Sequence, residues 1–455
     1  MDLRGRAPQV ISATNLAAID SDREARKQQE LPFLIEGDWS RLPTSKVRRP
    51  PSGAPFAWAH TYTAFSLDFA SAALERLGVK PKSHIIDPFL GSGTTMVAAA
   101  IRGCTATGVD ISPFSVLLSR ARLANAVDRR IVRSYLQNSR SPRSSDRTQH
   151  LALAANDLAY AAAVVERICD KRGLEPTNLL GTILSDDVGS YDSEVVSLIS
   201  LAIGARECAK LTRGSNPIWY RHHSETSRGR RLTLREAARR WSEVVTSDLQ
   251  HAPPFLRRGN RILNQDFSAI GNQPHKFDVC LTSPPYLNRL DYVVAHLPEL
   301  SVLQLISPID LDDLRKKMIG TTKIVEKAPR HAPAEWGDTC RAALDSVANH
   351  SSYASQRYYY HTHYHYFHGL YESLKKLPTL MASSCHGLIV VQTSFYKDVR
   401  IATPEICTEM LRTLSFRASV IRTTPVRQHM GKMSPTQASY VPQKTLSEAL
   451  VYFTQ

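Results

Sequence analysis

The chain has 455 residues, 42% of them hydrophobic and 22% charged, which supplies a sizeable core and excludes wholesale disorder. Lys and Arg outnumber Asp and Glu by 57 to 42, a net charge of +15. That excess favours a polyanionic partner such as nucleic acid and says nothing about the fold. At roughly 150 residues per domain, the length predicts two to three domains. No stretch approaches the ~18 consecutive apolar residues of a membrane span. The opening MDLRGRAPQVISATN lacks the apolar core of a signal peptide. The seven cysteines are scattered and never form CxxC, which argues against a disulfide framework and against a thiolate zinc site. A reduced, cytoplasmic, soluble protein is expected, with no membrane partner.

Residues 1–55 are polar and end in the basic, Pro-rich Ser45-Lys46-Val47-Arg48-Arg49-Pro50-Pro51, an N-terminal arm in which prolines block regular structure. Apolar spacing over Thr63–Leu77 predicts an amphipathic helix closed by Gly78. A strand at Ser83–Ile86, a Gly-rich turn at Asp87–Thr95, a helix at Met96–Arg102 and a strand at Thr105–Val109 ending in Asp110 follow. This unit opens a doubly wound α/β domain. Residues 128–148 hold six arginines among serines and read as a mobile basic linker, while 150–212 look helical, as over Leu151–Ile168 and Ser193–Leu211. The tract Arg221–Arg240 carries seven arginines with His222 and His223. Strand signals return at Asn260–Leu263, Phe277–Leu281, Gly387–Thr393, Ala418–Arg422 and Ala449–Phe453, with helices at Tyr359–Leu377 and Thr403–Leu414. The simplest organisation is one α/β domain over 56–125 and 255–455, interrupted by a helical, basic insertion at 126–254.

Two motifs carry chemistry. In Asp87-Pro88-Phe89-Leu90-Gly91-Ser92-Gly93-Thr94-Thr95, the glycines let the backbone pass close under a ligand, and free amides at the helix start can hold polar groups. Asp110, ending the next strand, is placed to accept from ribose hydroxyls. The pattern is neither GxGxxG nor a phosphate loop ending in GK[ST]. A ligand-free turn would explain the glycines alone. With Asp-Pro before them, Ser/Thr after them and Asp110 beyond, the segment is a candidate site for S-adenosylmethionine.

The second motif is Phe277-Asp278-Val279-Cys280-Leu281-Thr282-Ser283-Pro284-Pro285-Tyr286. An apolar strand running into two prolines must turn at the carboxyl edge of the sheet. Methylation of an exocyclic amine needs acceptors that draw the nitrogen lone pair out of the base ring. Ser283 and the Pro284 carbonyl are placed for that, Pro285 fixes the turn, and Tyr286 is placed to stack on a flipped base. A surface polyproline turn is the plainer reading of SPPY by itself.

Together these residues resemble the amino-methyltransferases of DNA, which act on N6 of adenine or N4 of cytosine. DPFLGSGTT resembles their motif I and TSPPY their motif IV. His60–Leu77 resembles the helix before motif I, Gly108–Pro113 the ribose-binding strand end, and Asn264–Phe267 the third motif, with Asp266 toward the cofactor adenine. The resemblance covers roughly 55–125 and 255–455. It implies a Rossmann-like, S-adenosylmethionine-dependent methyltransferase fold, a doubly wound mixed sheet with a mainly helical insertion. It further implies catalytic Ser283, Pro284, Pro285 and Tyr286, and cofactor binding by Asp87, Pro88, Phe89, Gly91, Ser92, Gly93, Thr94, Asp110, Asp266 and His60. Serine before Pro-Pro is the form most associated with cytosine N4. Expected partners are double-stranded DNA and a cognate restriction endonuclease. The insertion lies where such enzymes place target recognition, and 300–357, with Arg315, Lys316, Lys317, Lys323, Lys327 and Arg330, is a second candidate. Adenine N6, a base in structured RNA, and a non-catalytic nucleic-acid-binding module are the alternatives.

A solvated helix face is the plain reading of Arg221–Arg240, but Trp219, Tyr220 and Trp241 flank it, and interleaved arginines and aromatics suit phosphate contact and stacking. Trp219, Arg228, Arg230, Arg231 and Arg235 are therefore the candidate DNA contacts. The run Tyr358–Phe367-His368 puts His361, His365 and His368 on one helical face, yet no carboxylate completes a ligand set. No metal is expected there, and the tract is read as a packed helix with one aromatic face toward the target base. Asn288, Arg289 and Asp291 are placed at the pocket mouth.

Overall fold

A parallel run of strands with one antiparallel strand inserted near its edge organises the chain. A computed structural model describes residues 39–45, 58–59, 65–137, 153–186, 189–209, 211–213, 220–222, 232–251, 259–288, 290–323, 326–426 and 445–455. The strands are β1 (His84–Asp87), β2 (Thr105–Asp110), β3 (Leu211–Arg213), β4 (Tyr220–His222), β5 (Arg261–Asn264), β6 (Phe277–Thr282), β7 (Met381–Gln392), β8 (Ser394–Tyr396), β9 (Val399–Ile401), β10 (Arg417–Val426) and β11 (Leu446–Thr454). Seven of them form a sheet in the order β10-β11-β7-β6-β1-β2-β5; β3 with β4 and β8 with β9 are separate ribbons. From β5 to β7 every pairing is parallel, whereas β11 is antiparallel to both β7 and β10. The expected doubly wound mixed sheet of a Rossmann-like methyltransferase fold is therefore present. Of the 41-residue unit Met1–Arg41, only the single 3-10 turn Trp39–Arg41 is described; everything that follows belongs to Leu42–Gln455.

Burial on both faces explains the apolar runs. Ile85 and Ile86 of β1 and Cys280 and Leu281 of β6 are fully buried, as central parallel strands require. Helix α1 (Leu67–Arg76) starts at Ser66, whose hydroxyl accepts from Phe69 N at 3.2 Å. Helices α2 (Thr94–Ile101) and α3 (Pro113–Arg122) return the chain from β1 to β2 and from β2 onward. The strand order reverses between β1 and β6, and sheets of this kind hold ligands over the carboxyl ends at such a reversal.

Between α3 and β5 lie α4 (Arg129–Tyr135), α5 (Ala155–Arg172), α6 (Pro176–Ser185), α7 (Asp192–Cys208) and α8 (Leu234–His251). Buried residues occur all round α7, the mark of a central helix, and it packs against α3, α4 and α8. Thr233 and Glu236 form a reciprocal capping box at the start of α8, with Thr233 N to Glu236 Oε2 at 3.0 Å and Glu236 N to Thr233 Oγ1 at 3.3 Å. Past β6 come α9 (Tyr292–Ala295), α10 (Leu297–Leu303), α11 (Leu311–Lys317), α12 (Asp338–Ala348), α13 (Tyr360–Leu374), α14 (Leu377–Leu380) and α15 (Thr403–Thr413). Arg206 of α7 reaches Glu299 of α10, with Nη2 to Oε2 at 2.9 Å. Helices α12, α13 and α15 cover the sheet over a second apolar cluster that contains Trp336, Phe367 and Phe453. No helix among the described residues is long and apolar enough to cross a membrane.

The reading of 128–148 as a mobile linker is corrected over its first part. Asp128 caps α4 by accepting from Arg130 N at 2.7 Å. Val132 and Tyr135 are buried, and the Tyr135 hydroxyl donates to Glu194 of α7 at 2.6 Å. The arginines face outward to Glu243 and Gln250 of α8, so their density conceals an apolar stripe. Residues 138–148 lie outside the described residues.

An interior charge cluster fastens α7 to α3. Arg120 donates to Asp192 Oδ1 at 2.9 Å and Asp186 Oδ2 at 3.1 Å, and Asp192 Oδ2 accepts from Asn125 N and Ala126 N at 2.8 Å each. Asp192→Ala strands these buried donors and is expected to cost about 3–5 kcal/mol of unfolding free energy, read from the urea midpoint at unchanged slope. A loss below about 1 kcal/mol would show the cluster to be incidental.

Candidate active site at the ends of β1 and β6

The glycine bend begins where β1 ends on Asp87. Gly91 and Gly93 hold φ of +51° and +77°, and a Cβ on Gly93 would lie 2.5 Å from the Ser119 hydroxyl oxygen of α3. Only glycine fits there. The carboxylate of Asp110 closes the bend onto β2, accepting from Gly91 N and Ser112 N at 2.8 Å each. Buried Arg122 donates to the Ser92 carbonyl at 2.6 Å. Beyond β5, Asp266 accepts from Ser268 N at 2.8 Å, and Gln265 N donates to the Asp110 carbonyl at 3.1 Å. Asp87, Asp110 and Asp266 thus follow the ends of three adjacent strands.

The double-proline bend leaves β6 next to the glycine bend. Thr282 donates its hydroxyl to Asp87 at 2.6 Å and accepts from Phe89 N at 3.2 Å. Thr95 of α2 donates to the Leu281 carbonyl at 3.2 Å. The scaffold then clamps the motif group by group. The Ser283 hydroxyl donates to the Val390 carbonyl of β7 at 3.0 Å, and the buried Tyr366 hydroxyl of α13 donates to the Pro285 carbonyl at 2.9 Å. Asn288 N donates to the Tyr286 carbonyl at 2.7 Å, Ser394 to the Leu287 carbonyl, and the Tyr286 hydroxyl to Glu448 of β11 at 3.1 Å. The Pro284 carbonyl accepts no hydrogen bond from the described residues. A small apolar hollow between the bends is lined by Pro88, Phe89, Phe267, Pro284, Leu374 and Leu377.

Burial dominates the electrostatics. It pushes the Asp87 carboxyl up to about 6 against the hydrogen bonds from Thr282, Thr95 and Phe89 N. Asp110 is likewise raised to about 6, first by burial and further by Asp87, against the amides of Ser112 and Gly91. Neither carboxylate makes an ion pair among the described residues. The pair therefore suits a cationic ligand carrying hydrogen-bond donors.

The expected residues divide sharply. Asp87 to Thr94, Asp110, Asp266 and Ser283 to Tyr286 come together along one edge of the sheet. His60, Trp219, Arg228, Arg230, Arg231 and Arg289 lie outside the described residues. Arg235 is half-buried on α8, where Arg240 and Trp241 are held by Glu207 of α7. Asp291, expected at the pocket mouth, is instead buried, caps α9 through Val294 N at 3.0 Å and pairs with Arg315 at 2.7 Å. In the 300–357 stretch, Lys316 pairs with Asp312 at 3.0 Å and Lys323 with the same carboxylate, so much of its charge is neutralised internally. The aromatic tract also departs from expectation. Tyr364 packs 4.8 Å from Trp336, and His361 and His365 bond the backbone of Ala328 and Glu326. Its aromatic face turns toward the covering helices, and Tyr366 alone reaches the proline bend. Among the described residues no three His, Cys, Asp or Glu side chains are grouped to hold a metal. Thr282 stood in the expected motif and Tyr366 in the aromatic tract without the roles they have here, and Arg122 and Glu448 were absent from the expected site. Of these, Glu448 had a local signal, as an acid inside the apolar run LSEALVYFT.

Comparison with known proteins gives the same direction. The chain is similar to type II methyltransferases. It is 24% identical to M.AvaI of Nostoc sp. (strain PCC 7120) over 305 residues, 63% of this chain and 61% of that protein. Over 39 residues it is 51% identical to M.MjaII of Methanocaldococcus jannaschii, 9% of this chain and 7% of that one. Over 58 residues it is 38% identical to M.BsoBI of Geobacillus stearothermophilus, 13% and 11% respectively. The chain thus spans about three fifths of M.AvaI and about a tenth or less of the other two. No protein-family profile matches. Among solved structures, the rRNA methyltransferase aviRa from Streptomyces viridochromogenes aligns over 87% of each chain at 12% identity and a TM-score of 0.27; the fold assignment rests on the strand order instead.

The raised carboxyls fix a pH dependence. Between the ordinary value of 3.8 and about 6 the folded chain binds more protons at Asp87 and Asp110 than the unfolded chain. The stability they contribute is complete below the ordinary value and is lost as pH rises through about 6. Asp87→Asn keeps an acceptor for Thr282 and removes the charge. It is expected to raise the melting temperature at pH 8 and to lose that advantage at pH 4. An equal gain at both pH values would show that the Asp87 charge is not the cause.

Proposed function

We propose that this protein is an S-adenosylmethionine-dependent DNA methyltransferase that modifies the exocyclic N4 amine of cytosine within a recognised site, in a restriction–modification setting. The observation that carries the proposal is the Asp87–Thr282 hydrogen bond at 2.6 Å, because it sets the glycine bend and the amine-accepting bend in one crevice. The similarity to type II methyltransferases supports methyl transfer, and the net charge of +15 supports a nucleic-acid substrate.

The residues present fit the cofactor. Buried Asp87 and half-buried Asp110 form an anionic pair for its cationic and ribose groups, Asp266 is next along the edge, and Phe89 with Phe267 offers an apolar wall. When bound, S-adenosylmethionine supplies an electrophilic sulfonium methyl, which needs positioning more than activation. The remaining chemistry belongs to the chain. Because the Ser283 hydrogen is committed to the Val390 carbonyl, its lone pairs are left as acceptors. The open Pro284 carbonyl is the second acceptor, so two acceptors meet the two protons of an amine and draw its lone pair out of conjugation. A neutral serine, rather than an aspartate, supports cytosine as the base. Tyr286 would stack on that base once flipped, and the helical insertion 126–254, with Arg235 and the Arg228–Arg231 run, would carry target recognition and phosphate contact.

Incubation with methyl-tritiated cofactor and unmethylated plasmid DNA, followed by nucleoside analysis, is expected to yield N4-methylcytosine. N6-methyladenine would overturn the base assignment, and label in RNA alone would overturn the substrate. Ser283→Ala should lower turnover by about 100-fold with cofactor affinity unchanged. Asp110→Ala should weaken cofactor affinity instead, and identical defects in both variants would contradict these roles.

A further inference from the structure

An acid at a nearly buried strand position is costly, since a leucine of similar size would sit there without desolvating a charge. Glu448 occupies such a place. It lies opposite Thr424 of β10 and Gln392 of β7, its neighbours Ala449, Leu450 and Val451 are buried, and it is itself 9% exposed. Its two oxygens are used in opposite directions. Oε2 accepts from the Tyr286 hydroxyl at 3.1 Å, and Oε1 accepts from the Ser45 hydroxyl. Arg422, on the neighbouring strand, feels the carboxylate charge. It also donates to the Leu42 and Pro43 carbonyls at 2.8 and 3.3 Å. Ser66 N donates to the Ser45 carbonyl at 2.8 Å, which fixes the backbone of the residue whose hydroxyl meets the carboxylate.

Resting on the function proposed above, we propose that Glu448 is a positioning residue for methyl transfer, fixing the plane of the Tyr286 ring by holding its hydroxyl, with Ser45 holding Glu448 in turn. A tyrosine fixed only at its Cα can swing about two side-chain torsions. Held also at the far end of its ring, it presents one face to the site. Burial and the Glu448 charge both push the phenol well above its ordinary value, so the hydroxyl remains a donor throughout the working range. The ring, not the hydroxyl, faces the substrate, and the hydroxyl acts through orientation.

The test is a double-mutant cycle in the full chain, using plasmid DNA and tritiated cofactor. Tyr286→Phe and Glu448→Ala are each expected to lower kcat by about 10- to 100-fold, with the KM for cofactor within about twofold of wild type. The double variant should be no worse than the worse single one. Glu448→Gln, which keeps an acceptor oxygen, should recover most of the loss, which a purely structural role would not produce in kcat. If Glu448→Ala does not fold, Tyr286→Phe and Glu448→Gln carry the test. Wild-type kcat in Tyr286→Phe, or additive losses in the cycle, would overturn the inference while leaving the methyltransferase reading intact. No transfer to DNA by the wild-type chain would overturn both.

Discussion

Thr282 gives its hydrogen to Asp87 across the seam between β6 and β1, and the rest of the site depends on that contact. Parallel pairing of Ile85 with Val279 and Ile86 with Cys280 brings both strands to their carboxyl ends at the same level. Prolines then forbid β6 from continuing, and glycines let β1 turn sharply into α2. Two segments almost two hundred residues apart in the chain are thereby forced to face one volume. Without that register, the acceptors at Ser283 and Pro284 and the carboxylates at Asp87 and Asp110 would be separate surface features. With it, they form one wall lined with acids and one lined with neutral acceptors.

What the sequence disclosed and what it hid divide along the range of the interactions concerned. Turn positions such as Gly91, Gly93 and Pro284 were legible from neighbours within a few positions, and Asp110 from its place at the end of the next strand. The strand and helix order around them was legible for the same reason, although β7 begins at Met381, six residues before its apolar run. Tyr366 on its helix and Glu448 on its strand meet the proline bend across 81 and 162 residues of chain, and although Glu448 stands out as an acid in an apolar run, nothing near either residue names that partner. The arginine-rich start of the insertion misled because its partners, Glu194 and Glu243, are remote. Ile131, Val132 and Tyr135 already have helical spacing, but six arginines nearby made the segment look solvated. The aromatic tract misled in a similar way, since the Trp336 ring that it packs against sits outside any local window.

Charge, too, reads differently once positions are known. Among the described residues, several basic side chains are committed to acids of the same chain. Arg315, Lys316 and Lys323 are matched by Asp291 and Asp312, Arg206 by Glu299, and Arg120 by two aspartates. The Arg206 and Arg120 pairs join elements far apart in sequence, whereas Lys316 and Asp312 share one helix turn, and burial makes the former sensitive to loss of one member. Basic residues therefore do structural work in the interior and around the insertion, and composition by itself cannot sort those from cations that meet a partner.

Helix α3 joins the two halves of the molecule in an unusual way. Its Arg120 grips Asp186 and Asp192 of the insertion, and two positions on its Arg122 grips the Ser92 carbonyl of the glycine bend. Side chains at that spacing leave a helix in nearly opposite directions, so one short rod is bolted on one side to the insertion and on the other to the glycine bend. The insertion cannot rock against the sheet without dragging that rod or breaking an interior ion pair, and the rod cannot turn without tugging the bend. The insertion and the glycine bend are thus tied to one another through a single helix.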